Sequence, residues 1–293
     1  MKLLITSVRN EAPYIAEWIA WHKMLGFDHF LIYTNDNTDN TKEILEQISR
    51  LGFLTWYELY PEADQSPQMV AFGEAVKWIH DNRPEWTALF DVDEFLNLKQ
   101  DTNLDSFLSR FPDADAVAIN WKIFGSANIQ HKGLGLTPER FLHSAHDEFY
   151  EHRQFKTIFR YNKDLVRIHH RAVYKGFVYN KLKYLYPNGD SLNKHIMRPG
   201  PFNTLDGAYH YDFTVAQLNH YAVRSKSEFK NKRLRGNGLK PVIDASTPAR
   251  DDRYFKQFDK NDVFDPSILS RLDEYVQQYL SLCNQADIPT FIL

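Results

Sequence analysis

Short apolar runs alternate with helix-forming stretches through the first hundred residues, and this alternation limits the fold more than any other feature. The apolar runs cover residues 3–6, 29–33, 53–57 and 86–90, and apolar side chains recur at helical spacing over residues 14–25, 41–51 and 68–82. Repeated strand–helix units form a largely parallel sheet covered by helices. We therefore predict an α/β fold with a wound, mostly parallel sheet and flanking helices.

The pattern becomes less regular after residue 100. A helix is predicted over residues 104–111 and strands over residues 116–121 and 155–159, whereas Pro and Gly residues indicate a long loop over residues 186–207. The apolar stretch 268–282 predicts another helix. We expect that helix to pack on the sheet; docking on a partner and peripheral contact with a membrane are the alternatives.

An acidic tetrapeptide, Asp-Val-Asp-Glu at residues 91–94, follows the strand predicted over residues 86–90. Ligands of wound α/β sheets gather at the carboxyl ends of the strands. Alternation along an extended chain would point Asp91 and Asp93 to the same side, where both carboxylates could hold one divalent cation. A solvated acidic turn is the commoner meaning of an isolated Asp-x-Asp. An EF-hand loop is excluded, because Leu96 stands where that loop needs Gly.

Composition removes several classes of function. The 293 residues carry a net charge of -3, which argues against a nucleic-acid partner, because such binding depends on a basic surface. With Cys283 as the single cysteine, the chain can form no internal disulfide, Cys-based zinc site or redox pair. No stretch approaches the ~20 apolar residues of a transmembrane helix, and the first residues show no secretory pattern. We expect a cytoplasmic protein.

Several motifs together resemble a known family. They are Asn10-Glu11 with Tyr14-Ile15 and Glu17-Trp18, Gly26-Phe27, Tyr33, residues 36–41, residues 91–96, Trp121, Phe124-Gly125-Ser126, Lys156, His220-Tyr221, Arg224-Ser225, Glu228-Phe229, Lys232 and Arg235-Gly236. This series resembles the GT-A glycosyltransferases, and among them the family 2-like proteins that merge into glycosyltransferase family 92, with Arg224 in place of a usual Lys. The resemblance implies a GT-A catalytic domain over residues 1–236, followed by a helical extension over residues 237–293 that packs on it. Within that domain, residues 1–100 would bind the nucleotide, and residues 101–236, which are more irregular, would bind the acceptor and complete the metal site.

The resemblance also implies a metal, Mn²⁺ or Mg²⁺, bound by Asp91, Asp93 and His220. Asp93 is the first choice for direct coordination and so for a catalytic role, and Asp91 could instead bind the ribose or a metal-bound water. The alternative for His220 is a buried histidine that is hydrogen-bonded to the backbone. His170 competes with it as a ligand. On a strand, His169 and His170 would point to opposite faces, so at most one could reach the metal.

The donor implied by the resemblance is a nucleotide-diphosphate sugar, with a UDP-sugar favoured. Arg224, Lys232 and Arg235 fall on a predicted helix that could present cations to the diphosphate; a solvated basic helix is the alternative. The other residues assigned to the donor are Arg9, Asn10, Glu11, Asp36, Gln68, Asp91 and Lys156. Helix capping is the alternative for those near strand ends, and it explains Asp39 better than donor binding does.

The function implied is metal-dependent, inverting transfer of a sugar to a glycan acceptor, in the synthesis of a cell-surface polysaccharide. Inversion needs a carboxylate base. Glu151 is our choice, with Glu148 and Asp147 as competitors, whereas alternation turns Glu94 away from Asp93 and suggests a structural role. A sugar nucleotidyltransferase is the alternative enzyme, but its Gly-rich first loop is missing before Pro13. A non-catalytic glycan-binding protein is the alternative from another class.

Overall fold

The computed structural model of this chain describes residues 1–175, 181–192, 211–236, 238–241 and 250–291. Its first half is a run of strand–helix units, as predicted. In chain order these are β1 (Lys2–Val8), α1 (Ile15–Met24), β2 (His29–Thr34), α2 (Thr41–Ser49), β3 (Leu54–Glu58), α3 (Pro67–Asn82) and β4 (Trp86–Leu89). Gly26 has a φ of +104°, a conformation that only glycine adopts without strain, and it follows the end of α1.

The second half contributes shorter strands and helices to the same body. They are β5 (Glu94–Leu98), α4 (Leu104–Ser109), β6 (Ala116–Ile123), α5 (Thr137–Arg140), β7 (His143–Ser144), β8 (Phe155–Arg160), β9 (Leu165–Ile168), β10 (Ala172–Tyr174), β11 (Tyr184–Leu185), β12 (Ala216–His220), α6 (Lys226–Leu234), α7 (Asp252–Phe258), β13 (Val263–Phe264) and α8 (Leu272–Ala286). Most of the predicted loop 186–207 lies outside the described residues, and residues 186–192 contain no helix.

Nine of the described strands form one sheet in the order β3-β2-β1-β4-β8-β6-β12-β5, with β11 beside the start of β6. The first four pair in parallel, and Ile5 of β1 lies between Leu31 and Leu89 of its neighbours. Strand β8 runs antiparallel between β4 and β6, and β5 runs antiparallel to β12. The sheet is therefore mixed but mostly parallel, and helices flank it, which confirms the predicted fold class.

Helix α1 is buried on nearly all sides, because it lies between the edge of the sheet and α8. Its two tryptophans close the sheet edge at β5, where Trp18 and Trp21 donate indole hydrogen bonds to the carbonyls of Glu94 and Leu96 at 2.9 and 2.8 Å. On its other side, Trp21 meets the ring of Tyr275 on α8 at 4.9 Å between centroids. The backbone carbonyls at this buried sheet edge thus accept hydrogen bonds from the helix that covers it.

Helix α8 belongs to the same apolar core as the sheet and α1. Tyr275, Tyr279, Leu282 and Cys283 are all buried there, so the helix predicted near residues 268–282 forms and packs as expected. A short 3₁₀ segment, Ser267–Arg271, precedes it. Among the described residues, no helix has the length and hydropathy needed to cross a membrane.

Candidate active site

The acidic tetrapeptide forms a tight turn between β4 and β5. The Glu94 amide donates to the Asp91 carbonyl at 2.9 Å, and the Asp91 amide donates to Oε2 of Glu94 at 2.8 Å. The prediction that Asp91 and Asp93 alternate along an extended strand is therefore wrong, because the chain turns before Asp93. Both side chains nevertheless line one cleft at this end of the sheet.

Lys156 of β8 holds one side of this turn. Its buried ammonium group lies 3.1 Å from Oδ2 of Asp91 and 3.2 Å from Oε2 of Glu94. Burial acts to lower the pKa of Lys156, but Asp91 and Glu94 together raise it. Burial raises the pKa of Glu94 to about 8, with Asp91 and Asp93 adding to the effect and Lys156 opposing it. Glu94 thus has the structural role that we predicted for it, supporting the turn from within the core.

Asp93 is in contact with two elements of the second half of the chain. The Lys232 ammonium of α6 contacts Oδ2 of Asp93 and donates to the Ala222 carbonyl at 2.7 Å. Nε2 of His220, at the end of β12, lies 3.7 Å from the same Oδ2. Burial acts to raise the pKa of Asp93, yet Lys232 and His220 hold it well below its usual value.

The cleft around these side chains has a volume of about 280 Å³ and an excess of positive charge. Among the described residues, its lining contains five cationic side chains, Arg9, Lys156, Lys232, Arg235 and Arg250, and three carboxylates, Glu11, Asp91 and Asp93. Each carboxylate already contacts a cation, since Arg235 contacts Glu11 and the two lysines contact the aspartates. In the described part of the chain, Arg9 and Arg250 form no ion pair with a carboxylate.

Two adjacent histidines also line the cleft, which corrects the prediction that they point to opposite faces of a strand. Strand β9 ends at Ile168, and the chain bends through His169 and His170, so their rings stack at 4.7 Å with 10° between planes. His170 packs against Trp121 at 5.3 Å, and Trp121 in turn packs against His220 at 4.3 Å. Burial lowers the pKa of both His170 and His220.

The predicted nucleotide side of the site is partly assembled in the cleft. Arg9, Glu11 and Gln68 line it, together with Asn35, whose side chain was not among the predictions. Asp36 is exposed and does not line it, because a left-handed turn with φ 45° directs that residue outward.

Asn10 does not line the cleft either, and instead ties two loops together. Its side chain donates to the Thr38 hydroxyl at 3.1 Å and accepts from the Thr38 amide at 2.7 Å. Asp39 accepts from the Thr41 amide at 3.0 Å at the start of α2, which is the capping role expected of it.

Arg224 lies before helix α6 rather than on it, so its predicted place on a basic helix is wrong. The helix begins at Lys226 after the Ser225 cap, and Arg224 adopts a left-handed conformation with φ 52°. Its guanidinium donates to the Val92 carbonyl at 3.2 Å and lies 3.6 Å from the Tyr14 ring centroid. It therefore supports the acidic turn from a neighbouring pocket, whereas Lys232 and Arg235 reach the cleft itself.

Glu151, the predicted base, lies on a 3₁₀ segment, Tyr150–Arg153, outside the cleft lining. Its carboxylate accepts from Nε2 of Gln257 on α7 at 2.7 Å, and burial raises its pKa. Of its competitors, Asp147 contacts the Lys122 ammonium and Glu148 is exposed. The role of base stays a prediction.

The chemistry of Asp91, Asp93 and His220 fits a divalent cation, because two hard carboxylates and an imidazole with a buried, unbonded Nδ1 line one cleft. Their arrangement is not yet that of a metal site. Within the described residues, no three His, Cys, Asp or Glu side chains converge closely enough to hold an ion. The Lys232 ammonium occupies the Asp93 carboxylate, so a cation would have to take its place.

Besides Asn35, two residues of the cleft lining were missed from the sequence, Arg250 and Tyr254; Arg250 precedes α7 and Tyr254 lies on it. No motif marks them. The sequence offered one signal, an Arg and a Tyr four residues apart on either side of Asp251, a residue type that favours a helix start. In the structure Asp251 is the N-cap of α7 and accepts from the Tyr254 amide at 3.0 Å.

Comparison with known proteins places the chain in a family. The model of glycosyltransferase family 92 matches residues 6–248, and the chain belongs to that family. A family 92 protein of rice, Oryza sativa subsp. japonica, is 26% identical over 106 residues, covering 36% of this chain and 18% of that protein. One of Arabidopsis thaliana is 32% identical over 95 residues, covering 31% of this chain and 15% of that protein. The chain spans less than a quarter of the length of these curated relatives.

Among solved structures, S. aureus TarS in complex with UDP-GlcNAc is similar to 54% of this chain and 45% of that chain, with a TM-score of 0.33 and 16% identity.

Proposed function

We propose that this chain is a glycosyltransferase that moves a sugar from a nucleotide-diphosphate donor, with a UDP-sugar favoured, to a glycan acceptor. The charge distribution of the cleft is the observation that carries this proposal. Among the described lining residues, each of the three carboxylates is neutralised by one cation, and the guanidinium groups of Arg9 and Arg250 remain without a carboxylate partner. Two uncompensated guanidinium groups in a cleft at strand carboxyl ends suit a diphosphate leaving group, on which negative charge develops during transfer.

We further propose that Mn²⁺ or Mg²⁺ binds with the donor, held by Asp91, Asp93 and His220. The ion would supply Lewis-acid stabilisation of the leaving diphosphate. The ammonium of Lys232 would then leave the Asp93 carboxylate and could turn towards a phosphate oxygen, while it keeps its hydrogen bond to the Ala222 carbonyl. The ring of His220 packs against Trp121 at 4.3 Å between centroids, which would support its imidazole in this role.

Inversion at the sugar and a role in cell-surface polysaccharide synthesis, in the cytoplasm, are further parts of the proposal. The base would be Glu151, which is within electrostatic reach of Tyr254 in the cleft. The matched variant Glu151→Gln keeps the Gln257 contact possible while removing the basic group. Turnover near that of the wild type, with unchanged donor binding, would place the base elsewhere.

The test of the function is release of nucleoside diphosphate from a panel of nucleotide sugars, measured with and without Mn²⁺ and with glycan acceptors. We expect one donor to be consumed, at least by slow hydrolysis, with UDP as the product. Formation of pyrophosphate from a nucleoside triphosphate and a sugar phosphate would instead identify a nucleotidyltransferase. Glycan binding without consumption of any donor would identify a non-catalytic binding protein.

A further inference from the structure

We propose that Arg250 binds the diphosphate of the donor, from a segment beyond the part of the chain that matches the family. That match ends at residue 248, two residues before Arg250. The inference rests on the proposed function, because it assigns a residue to the same donor. It predicts that the C-terminal segment is part of the active site rather than only a support for the sheet.

Arg250 lines the same cleft as the acidic turn. Burial acts to lower the pKa of its guanidinium, whereas Tyr254, Asp93 and Asp91 raise it, so both aspartates lie within electrostatic reach. Arg250 also acts on Lys232, whose pKa it helps to lower. Since Asp93 already contacts Lys232 and Asp91 already contacts Lys156, Arg250 can give its hydrogen bonds to a ligand.

Helix α7 gives Arg250 a fixed position beside the cleft. The ring of Tyr254 stacks with two others, at 6.1 Å and nearly parallel to Phe229 of α6 and at 4.4 Å from Phe258 of α7. A side chain packed in this way loses little further freedom when a ligand arrives. Because the Arg250 guanidinium lies over the Tyr254 ring, 5.8 Å from its centroid, the aromatic stack helps to position the guanidinium.

The far end of α7 is fixed to the sheet domain by a close backbone contact. The amides of Ser126 and Ala127 each donate at 2.7 Å, the first to Oδ1 of Asp259 and the second to Oδ1 of Asn261. A Cβ at Gly125 would collide with the Lys260 carbonyl, so glycine is needed there for the segments to meet. The helix that follows Arg250 is thus fixed at both ends.

A diphosphate is the ligand that this geometry favours over a single phosphate. Arg9 follows β1 on the nucleotide side of the cleft, and Arg250 enters it from the C-terminal segment, so two guanidinium groups come from separate elements. A guanidinium donates paired hydrogen bonds to phosphate oxygens. Arg250 should therefore contribute to binding of UDP and little to binding of UMP.

The experiment is calorimetric titration of the full chain with UDP, UMP and uridine in the presence of Mn²⁺. We expect wild type to prefer UDP to UMP, and Arg250→Met to weaken UDP binding by about 10- to 100-fold with little change for UMP. Arg250→Lys should recover part of the loss. The matched control is Arg253→Met on α7, whose side chain is 94% exposed and should leave all three affinities unchanged.

The outcomes separate the two proposals. An Arg250→Met protein that keeps the wild-type ratio of UDP to UMP affinity overturns the assignment of Arg250 and leaves the proposed function standing. A wild-type protein that binds none of the three ligands overturns both. Circular dichroism of each variant shows whether it is folded. If Arg250→Met is unfolded, the ratio of UDP to UMP affinity measured in folded Arg250→Lys tests the assignment instead. A full wild-type preference for UDP in that Lys variant would contradict paired hydrogen bonding by Arg250.

Discussion

Two buried lysines contact carboxylates of the same acidic turn, yet their surroundings differ. Lys156 belongs to β8 at the centre of the sheet and faces both Asp91 and Glu94. Lys232 belongs to α6 and contacts Asp93 and the carbonyl of Ala222. Both lysines line the cleft, but the first joins two carboxylates of the turn, whereas the second joins a single carboxylate of the turn to α6.

The electrostatics of the two lysines follow from these neighbours. Two acidic groups raise the pKa of Lys156 despite burial. Burial lowers the pKa of Lys232 to about 8, and Arg250 and Arg235 add to this effect against the attraction of Asp93. We expect the contact of Lys156 to be a permanent part of the fold and the contact of Lys232 to be exchanged for a cation or a phosphate when a ligand binds.

The largest effect should come from Asp93, the carboxylate that Lys232 contacts. Asp93→Asn should lower sugar transfer by roughly 10³-fold, because it removes the group that positions both Lys232 and any metal at the leaving diphosphate. Thermal denaturation should show a folded protein. The control is Asp113→Asn, an exposed loop position. Transfer within a fewfold of wild type would show that Asp93 is not part of the chemistry.

At Lys156, the main effect of a substitution should be on stability. Lys156→Met leaves Asp91 and Glu94 without their shared cation, and we expect the free energy of unfolding to fall by about 3 kcal/mol. Adding Glu94→Gln should recover part of this loss, because it removes one of the two acidic groups. Denaturant titration measures both. If Lys156→Met were as stable as wild type and only donor binding were lost, the contrast between the lysines would be wrong.

The smallest effect is a dependence on pH that belongs to Lys232 alone. Its pKa is about 8 in the folded chain and about 10.5 when unfolded, so between these values the unfolded chain binds more protons. Stability from this group should therefore rise with pH across that window, by up to about 1.4 kcal/mol per pH unit. The unfolding free energy of wild type minus that of Lys232→Met should therefore become more positive from pH 8 to 10. A constant or shrinking difference would contradict the assignment.

Much of the fold could be predicted because its first half is built locally. The apolar runs that become β1, β2 and β3 are each followed by a turn and a helix, and β4 follows the third of these helices, so neighbouring residues determine each element. Strand β5 was not predicted, because its pairing partner β12 lies more than a hundred residues further along the chain. Nothing near residues 94–98 reveals that partner.

The site was harder to predict than the fold, because turns decide where its side chains point. Strand alternation failed at residues 91–94 and again at His169 and His170, where hydrogen bonds bend the chain. Lys156, Lys232 and His220 were named through the family resemblance, and the structure brings all three to the cleft. Arg250 arrives there only by tertiary packing, through the contacts of α7.

The most direct test of a nucleotide-diphosphate site at this cleft is a thermal-shift measurement of the full chain with UDP, with and without Mn²⁺. A ligand present at about 100 times its dissociation constant should stabilise the native state by about 2.7 kcal/mol. We predict that UDP raises the melting temperature of wild type, more so with Mn²⁺, and that Asp93→Asn loses the contribution of Mn²⁺. An unchanged melting temperature with UDP and with every other nucleoside diphosphate would contradict the account.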